Sequence, residues 1–189
     1  MSAPTNLTHI NGNILELEFD FICHQINQVS SKAKGLAASI FQQYPYSDRY
    51  TKRKILGQTT AVPGLYYEYP GENKETSTLI APVVVGFAAQ MAPGQPGDRF
   101  AKYYNVDESK DTAECRLEYF KWCLKNFAYD VSKPNCLITK TDRRIAFPYQ
   151  IGCGLAGGNW PDYEKAIWDF AASLIDSKCN ISVFIVQNK

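Results

Sequence analysis

The sequence predicts an α/β domain in which helices cover both faces of a β-sheet. Segments with the apolar pattern of strands alternate along the chain with segments of helical spacing, and this alternation is typical of α/β folds. With 189 residues, of which 45% are hydrophobic, the chain is long enough to bury one core. It contains no repeat, linker or low-complexity tract, so we expect one domain over residues 1–189.

Several short segments have the apolar, β-branched and aromatic composition of strands. They are residues 7–10, 19–26, 65–69, 79–89, 145–148 and 181–186. Pro70 and Gly71 open a stretch, residues 70–73, that predicts a turn between the third and fourth of these strands. This arrangement suggests a hairpin.

Helical spacing appears between the predicted strands. Residues 36–44 predict a helix that must end before Pro45, because proline cannot continue a helix. A long helix follows with one apolar face, formed by Ala113, Leu117, Phe120, Leu124 and Phe127. Pro161 opens another helix, whose apolar face is Tyr163, Ala166, Ile167, Phe170, Leu174 and Ile175. We interpret the aromatic residues of the long helix as core, in preference to a stripe that binds a partner.

Charge and composition exclude several classes of protein. The formal net charge is +1, which provides no overall field to attract nucleic acid or an anionic membrane. We interpret Lys52-Arg53-Lys54 as a solvated helix end or loop, and residues 46–58 as a solvated edge in preference to a contact for a macromolecular substrate. No run approaches the ~20 apolar residues of a membrane helix, and no secretory signal pattern is present. We therefore expect a cytoplasmic or also nuclear protein that is not secreted and does not contact a membrane.

The cysteines are scattered and have few histidines to accompany them. The six cysteines form no Cys-x-x-Cys pair, and the chain has two histidines. This pattern indicates reduced thiols and predicts neither a disulfide framework nor a metal site.

A glycine-rich loop is the most informative feature of the chain. A short apolar run leads into residues 151–158, which contain the frame Gly152-x-Gly154-x-x-Gly157 and precede the helix at Pro161. Glycine lets the backbone approach a ligand closely, and successive N–H groups near a helix N-terminus bind anions. The frame alone is a weak signal, so a phosphate cradle and a merely tight turn both remain open. We interpret Cys153, within this loop, as a small buried filler and not as a nucleophile.

A second strand, loop and helix start lies near the N-terminus. His24 and Asn27 end a predicted strand, and Lys34-Gly35-Leu36-Ala37 opens a helix. Two such loops at the carboxyl ends of neighbouring strands would form a crevice that grips a diphosphate from both sides. In the alternative, Asn27 only caps a turn and Gly35 only eases helix packing.

These landmarks together resemble a known family. Gly12-Asn13-Ile14, His24-x-x-Asn27, Lys34-Gly35-Leu36-Ala37 and residues 151–158 followed by Asn159-Trp160 are similar, in order and spacing, to the four landmarks of macrodomains that bind ADP-ribose. The last motif is closest to a branch that includes phage, viral and fungal proteins acting on ADP-ribose derivatives. The resemblance extends from about residue 7 to residue 186, and it implies a three-layer α/β/α sandwich around a mixed central sheet.

The resemblance also implies a set of ligand contacts. Asn13 stands where most members carry Asp, so its side-chain oxygen would accept from the adenine amine without the assistance of a charge. Asn27 would contact the distal ribose, and Lys34 would either add a charge beside the diphosphate or point to solvent. The implied binding residues are Asn13, Ile14, Asn27, Lys34, Gly35, Leu36, Ala37, Ile151, Gly152, Cys153, Gly154, Leu155, Ala156 and Gly157.

Catalysis is less well defined by the resemblance. His24 is the candidate catalytic residue, because a neutral imidazole facing the crevice can activate water or protonate a leaving group; the alternative is a core histidine. Relatives that cleave ADP-ribosyl-glutamate carry an Asp where this chain has Ala156, which argues against their mechanism. Other candidate acids are Asp98 and Asp107, and Gln90 falls near the place of those relatives' lysine.

Three functions are therefore considered. The first is hydrolysis at the distal ribose, either of ADP-ribose 1''-phosphate or of an ADP-ribosylated protein or nucleic acid. The second is a non-catalytic reader of ADP-ribose or of ADP-ribosylated macromolecules. The third, an unrelated dinucleotide-binding fold, expects its glycine fingerprint after the first strand, whereas here the loop lies near the C-terminus. We expect no cofactor, and the sequence does not predict an oligomeric state.

Overall fold

The structure, a computed structural model, describes residues 4–56, 61–73, 76, 78–134 and 136–188. The strands are β1 (Leu7–Asn11), β2 (Phe21–Asn27), β3 (Tyr66–Asn73), β4 (Thr78–Gln90), β5 (Asp142–Pro148) and β6 (Asn180–Gln187). The α-helices are α1 (Leu36–Gln43), α2 (Arg49–Leu56), α3 (Arg99–Tyr103), α4 (Ala113–Val131) and α5 (Trp160–Ser173). Strands and helices alternate as the sequence predicts.

The strands form one mixed sheet in the order β1-β6-β5-β2-β4-β3. The pairs β1–β6, β6–β5, β5–β2 and β2–β4 are parallel, whereas β3 pairs with β4 antiparallel. Parallel sheets need cover on both faces, and the inserted helices supply it. The carboxyl ends of β1, β6, β5, β2 and β4 consequently lie along one edge of the sheet.

Alternate residues of β2 separate the two halves of the core. Phe21 and Cys23 belong to the cluster packed against α4 and α5, whereas Ile22 and Ile26 belong to the cluster that includes residues of α1 and α2. This alternation follows from the two-residue period of a strand. The three-layer α/β/α sandwich is confirmed. No helix in the described ranges is long and apolar enough to cross a bilayer.

The hairpin between β3 and β4 differs from the prediction in its turn. The turn expected at residues 70–73 is wrong, because β3 continues through Asn73. The pairing with β4 shifts register on either side of Gly71. Pro70 lacks an N–H and is accommodated at this irregularity, which lies on an edge strand where proline is tolerated.

The buried face of α4 is rotated from the predicted face. Phe120, Leu124 and Phe127 are buried as expected, but Ala113 is exposed and Leu117 is only half-buried. The face is completed by Arg116, Cys123 and Val131. In the same way, the five apolar residues predicted to face inward from Tyr163 to Leu174 are buried, but Ile175 is 50% exposed beyond the end of α5.

In the described residues, β2 and β5 pair only at the start of β2, which lies opposite the middle of β5. Phe21 is opposite Ile145 and Ile22 is opposite Ala146, and no pair of these strands is found further along in the described residues. The chain after β2 leads to α1 on one face of the sheet, and the chain after β5 leads to α5 on the other. Ligands of open α/β sheets bind where neighbouring connections leave in opposite directions. The fold therefore places a crevice between the carboxyl ends of β2 and β5.

Candidate functional site

Three loops meet at this crevice. We call residues 28–35, after β2, the first loop; residues 149–158, after β5, the second loop; and residues 91–97, after β4, the proline loop. β2 lies between β5 and β4 in the sheet, so the first loop lies between the other two. The expectation that the two glycine-containing loops follow neighbouring strands is confirmed.

The second loop has a conformation that requires glycine. Gly152 and Gly157 have φ of 74° and 71°, and Gln150 has φ of 59°. A Cβ on Gly152 would clash with the ring of Tyr163 and lie 2.6 Å from Oε1 of Gln25. The Gly158 N–H closes the loop by donating to the Gly152 carbonyl over 2.9 Å.

The tip of the second loop reaches the first loop. A Cβ on Gly154 would meet no atom within 4 Å, so this glycine borders open space. Leu155 is 66% exposed, and its Cδ1 lies 3.5 Å from the Cβ position of Gly35. The two loops thus approach each other across the crevice.

Two helix N-termini also open onto the crevice. Gly35 is the N-cap of α1, with φ of 56°, and Asn159 is the N-cap of α5. No side chain of a described residue caps either end, and Asn159 Nδ2 instead donates to Asp162 over 2.8 Å. Uncapped N–H groups at a helix start, together with the helix dipole, favour an anion.

Asn27 organises the first loop. Its Oδ1 accepts hydrogen bonds from the N–H groups of Val29 and Ser30, over 3.1 and 2.7 Å. Its own N–H and its Nδ2 both donate to the hydroxyl of Tyr50, over 2.9 and 3.0 Å. The side chain therefore caps a turn, as the alternative for Asn27 stated, and a contact with a distal ribose remains a prediction.

Arg53 lies beneath the same turn. Its Nη1 donates to the Ser30 carbonyl over 2.8 Å and its Nη2 to the Asn27 carbonyl over 3.0 Å. The residue is 5% exposed, whereas Lys52 and Lys54 are exposed. The interpretation of this basic cluster as solvated is wrong for Arg53, because α2 packs its inner face against the first loop. Of the predicted edge segment, residues 57 and 58 lie outside the described residues.

Arg116 connects the proline loop to the second loop. Its Nη1 donates to the carbonyls of Gly94 and Ala156, over 2.6 and 3.1 Å. Its Nη2 lies 2.6 Å from Asp111, which also accepts from the N–H groups of Met91 and Ala92. This pair was not predicted from the sequence, although a charged residue four positions before Phe120, on the apolar face of α4, was a signal for it.

The structure does not place His24 in the crevice. The residue is 1% exposed and its ring meets Phe41 edge-on at 5.5 Å. Burial lowers the pKa of His24 from 6.5 to about 4. Neither ring nitrogen has a hydrogen-bond partner among the described residues. The expected exposure to the crevice is wrong, because the side chain points to the α1 layer, and a catalytic role remains a prediction without an accessible nitrogen to support it.

The other candidate catalytic side chains differ in their exposure and in their hydrogen-bond partners. Gln90 is 8% exposed; its Oε1 accepts from Gln25 and its Nε2 donates to the Ala92 carbonyl, so both ends are engaged. Asp98 is exposed and accepts from the Gln95 N–H over 2.7 Å. The Gln95 side chain in turn packs against Gly157. Asp107 caps a 3₁₀ turn through Ser109.

The remaining residues predicted to contact the ligand differ in exposure and in hydrogen-bonding capacity. Asn13 Oδ1 accepts from the Leu15 N–H over 3.0 Å, which leaves it one further lone pair for an adenine amine. Ile14 and Ile151 are only 3% and 4% exposed, so neither offers an accessible side chain to a ligand. Lys34 is exposed, while Leu36 and Ala37 are half-buried against the core.

Cys153 is half-buried within the second loop. Its Sγ lies 3.3 Å from the Ile151 carbonyl. Burial and, secondarily, the nearby Asp162 raise the pKa of the Cys153 thiol to about 12. Such a thiol is a poor nucleophile at neutral pH, in agreement with the interpretation as a filler. No cluster of three or more His, Cys, Asp or Glu suited to a metal is found in the described ranges.

A separate open pocket lies at the opposite edge of the sheet. It has a volume of about 530 Å³ and its lining includes Asp20, Tyr44, Pro82 and Lys140. Asp20 precedes β2 and Lys140 precedes β5, so this pocket borders the amino ends of the parallel strands. It contains no residue of the three loops, and it is therefore distinct from the crevice.

Comparisons with known proteins rest on structure. No protein-family model matches the sequence, and no curated protein does. The macrodomain of Thermus aquaticus DarG is similar over 95% of this chain and 97% of its own, with a TM-score of 0.61 and 20% identity. Thermosipho africanus DarTG in complex with ADP-ribose is similar over 97% of this chain and 42% of its own, with a TM-score of 0.61 and 18% identity. A Trypanosoma brucei macrodomain in complex with ADP is similar over 95% of this chain and 63% of its own, with a TM-score of 0.56 and 12% identity.

Proposed function

Because this chain has the macrodomain fold, we propose that it binds ADP-ribose, or the ADP-ribosyl group of a modified protein or nucleic acid, in the crevice between its first and second loops. One observation carries the proposal. Two loops and two uncapped helix N-termini converge where β2 and β5 stop pairing. This arrangement collects backbone N–H groups around a space suited to a diphosphate.

The rest of the ligand fits the same edge of the sheet. Asn13 follows β1, on one side of the second loop, and has a free lone pair for the adenine amine. The first loop, on the other side, would contact the distal ribose. Support for this class of ligand comes from the similar structures that contain ADP-ribose and ADP.

Binding without catalysis is the form of this function that the geometry favours. His24 is buried, both ends of Gln90 are engaged by other residues, and Ala156 cannot take a proton. General acid–base catalysis requires a titratable group within reach of the reacting bond. A reader of ADP-ribosylated macromolecules requires only the loops.

Hydrolysis at the distal ribose is the second candidate, and the position of Asp98 favours it. Asp98 is exposed beside the proline loop, and its partner Gln95 contacts Gly157 of the second loop. Asp98 is thus an exposed carboxylate whose loop contacts the second loop. It could activate water for removal of the phosphate from ADP-ribose 1''-phosphate or for release of ADP-ribose from a macromolecule.

Calorimetric titration with ADP-ribose tests the binding proposal. We expect the wild-type protein to bind with a Kd in the micromolar range or tighter, and the Gly154→Glu variant to lose binding because its carboxylate enters the space for the diphosphate. Ala172→Glu adds the same charge on the exposed side of α5 and should bind like the wild type. Absence of wild-type binding would leave this chain with the macrodomain fold but a different ligand.

Product analysis separates the two candidates. Wild-type protein is incubated with ADP-ribose 1''-phosphate and, separately, with an ADP-ribosylated protein and an ADP-ribosylated oligonucleotide. Release of phosphate or ADP-ribose that is abolished in Asp98→Asn supports hydrolysis. Binding without turnover supports the reader, and turnover that depends on His24 but not on Asp98 would contradict both assignments of residues made above.

A further inference from the structure

We propose that Tyr50 and Arg53, both on α2, are positioning residues that hold the first loop in the conformation that receives the diphosphate and distal ribose. The inference rests on the proposed function and deepens it. It assigns to α2 a part in selecting ligands that carry a second phosphate and a second ribose. The contacts of the two side chains support it in three independent ways.

The Tyr50 hydroxyl is a fixed point for the start of the first loop. Tyr50 is 4% exposed and its ring meets Phe41 edge-on at 5.4 Å, so the core determines where the hydroxyl lies. That oxygen accepts from the N–H and from Nδ2 of Asn27. The orientation of the Asn27 amide is therefore fixed, and its Oδ1 can turn the chain at Val29 and Ser30.

The Arg53 guanidinium fixes the two carbonyls that flank the turn. It donates to the carbonyls of Asn27 and Ser30 from two nitrogens of one planar fork. In a trans peptide the N–H points opposite to the C=O. The N–H that follows each carbonyl is consequently turned away from α2. The Gln28 N–H accordingly donates to the Met91 carbonyl of the proline loop over 3.1 Å.

Among the described residues, no carboxylate neutralises the charge of Arg53. No ion pair that includes Arg53 is found within the part of the chain that the structure describes. Its Nε is buried and has no partner among the described residues. A diphosphate carries about two negative charges, and a buried cation beneath the loop attracts it more strongly than an exposed lysine in water. Arg53 thus fixes the conformation of the first loop and adds a positive electrostatic potential beneath it.

This arrangement predicts a difference between ligands. Adenine would lie near Asn13, which follows β1 and is separated from the first loop by β6 and β5. Loss of the Tyr50 or Arg53 contacts should therefore weaken the binding of ADP-ribose much more than the binding of AMP. Substitution of a residue needed only for folding would weaken the binding of both ligands equally.

The test is calorimetric titration of ADP-ribose and AMP into Tyr50→Phe and Arg53→Lys. Arg53→Lys keeps the charge but loses the fork that holds two carbonyls, and Tyr50→Phe removes only the hydroxyl. Since a hydrogen bond involving a charged group is worth about tenfold to a hundredfold in binding, we expect the ADP-ribose Kd of Arg53→Lys to rise about tenfold or more. The AMP Kd should change less than about twofold. Arg53→Gln, which also removes the charge, should raise the ADP-ribose Kd further.

Two variants on the same segment are matched controls. Lys52→Gln removes an exposed charge next to Arg53, and Tyr46→Phe removes a hydroxyl that donates to the Pro82 carbonyl and not to the first loop. Both should bind ADP-ribose like the wild type. Amide hydrogen exchange adds a readout without ligand: the N–H groups of Val29 and Ser30 should exchange faster in Tyr50→Phe and Arg53→Lys than in either control.

The outcomes separate this inference from the proposed function. Equal loss of ADP-ribose and AMP, or unchanged ADP-ribose affinity in Tyr50→Phe and Arg53→Lys, overturns the positioning role while wild-type binding still stands. If the wild type itself does not bind ADP-ribose, the proposed function fails, and the inference fails with it. Selective loss of ADP-ribose with faster exchange at residues 29 and 30 supports the positioning role.

Discussion

Arg116 and Asp111 form an ion pair with a distance of 2.6 Å, in which each side chain is only 2% exposed. Asp111 accepts from the backbone of Met91 and Ala92 in the proline loop, and Arg116 donates to the carbonyls of Gly94 in the proline loop and Ala156 in the second loop. The pair therefore lies at the junction of the proline loop and the second loop. Because burial removes water from both charged groups, their hydrogen bonds within the protein compensate for the lost hydration.

Replacing Arg116 with Leu should lower the free energy of unfolding by about 3–5 kcal/mol, because Asp111 would remain buried without its cation. Urea denaturation measures the change. Lys121→Leu is the control: Lys121 pairs with Glu118 on the exposed side of the same helix, and its loss should cost less than about 1 kcal/mol. Equal effects of the two substitutions would mean that the buried pair does not stabilise the fold.

Gly152→Ala should affect the stability of the fold, whereas Gly154→Ala should affect the affinity for ADP-ribose. At Gly152 the positive φ and the clash with Tyr163 should destabilise the fold by about 1–3 kcal/mol. At Gly154 a methyl group meets no neighbour, so thermal stability should be unchanged while ADP-ribose affinity falls. Thermal unfolding and calorimetry on both variants check this. A Gly154→Ala variant with normal affinity would show that the second loop does not closely approach the ligand.

His24 should make stability depend on pH. The folded protein keeps this imidazole neutral to about pH 4, whereas the unfolded chain protonates it near pH 6.5. Its contribution is therefore complete above pH 6.5 and is lost as pH falls towards 4, by about 3 kcal/mol in total. Urea titrations at several pH values should show a flatter profile for His24→Leu.

Cys153 should react slowly with alkylating reagents. With its pKa raised to about 12, the thiol is almost entirely protonated at pH 8. Its rate of reaction with iodoacetamide should be about a thousandfold below that of a free cysteine thiol. Peptide mass spectrometry after timed labelling measures the rate. Labelling of Cys153 as fast as free cysteine would indicate an activated thiolate in the second loop and would reopen its role as a nucleophile.

The sequence predicted the architecture better than the contacts within the site. Strand, loop and helix starts around Gly152 and Gly35 follow from apolar periodicity and glycine placement, which are local properties. The roles of Arg53 and Arg116 depend on which way a helix faces after it has packed, and the sequence around Arg53 looks like a solvated basic run. His24 illustrates the same limit, since its position at a strand end was predicted correctly but the face to which it points was not.

The parallel pairing of β1 with β6 has a practical consequence for handling the protein. Two parallel neighbours begin at the same edge of the sheet, so Leu7 lies at the edge far from the crevice, whereas Gln187 accepts a hydrogen bond from the Gly12 N–H at the crevice edge. Asn13, the expected adenine contact, is the next residue. A label attached to the amino end of β1 therefore leaves the crevice accessible, whereas a bulky label attached at Gln187 would obstruct its adenine end.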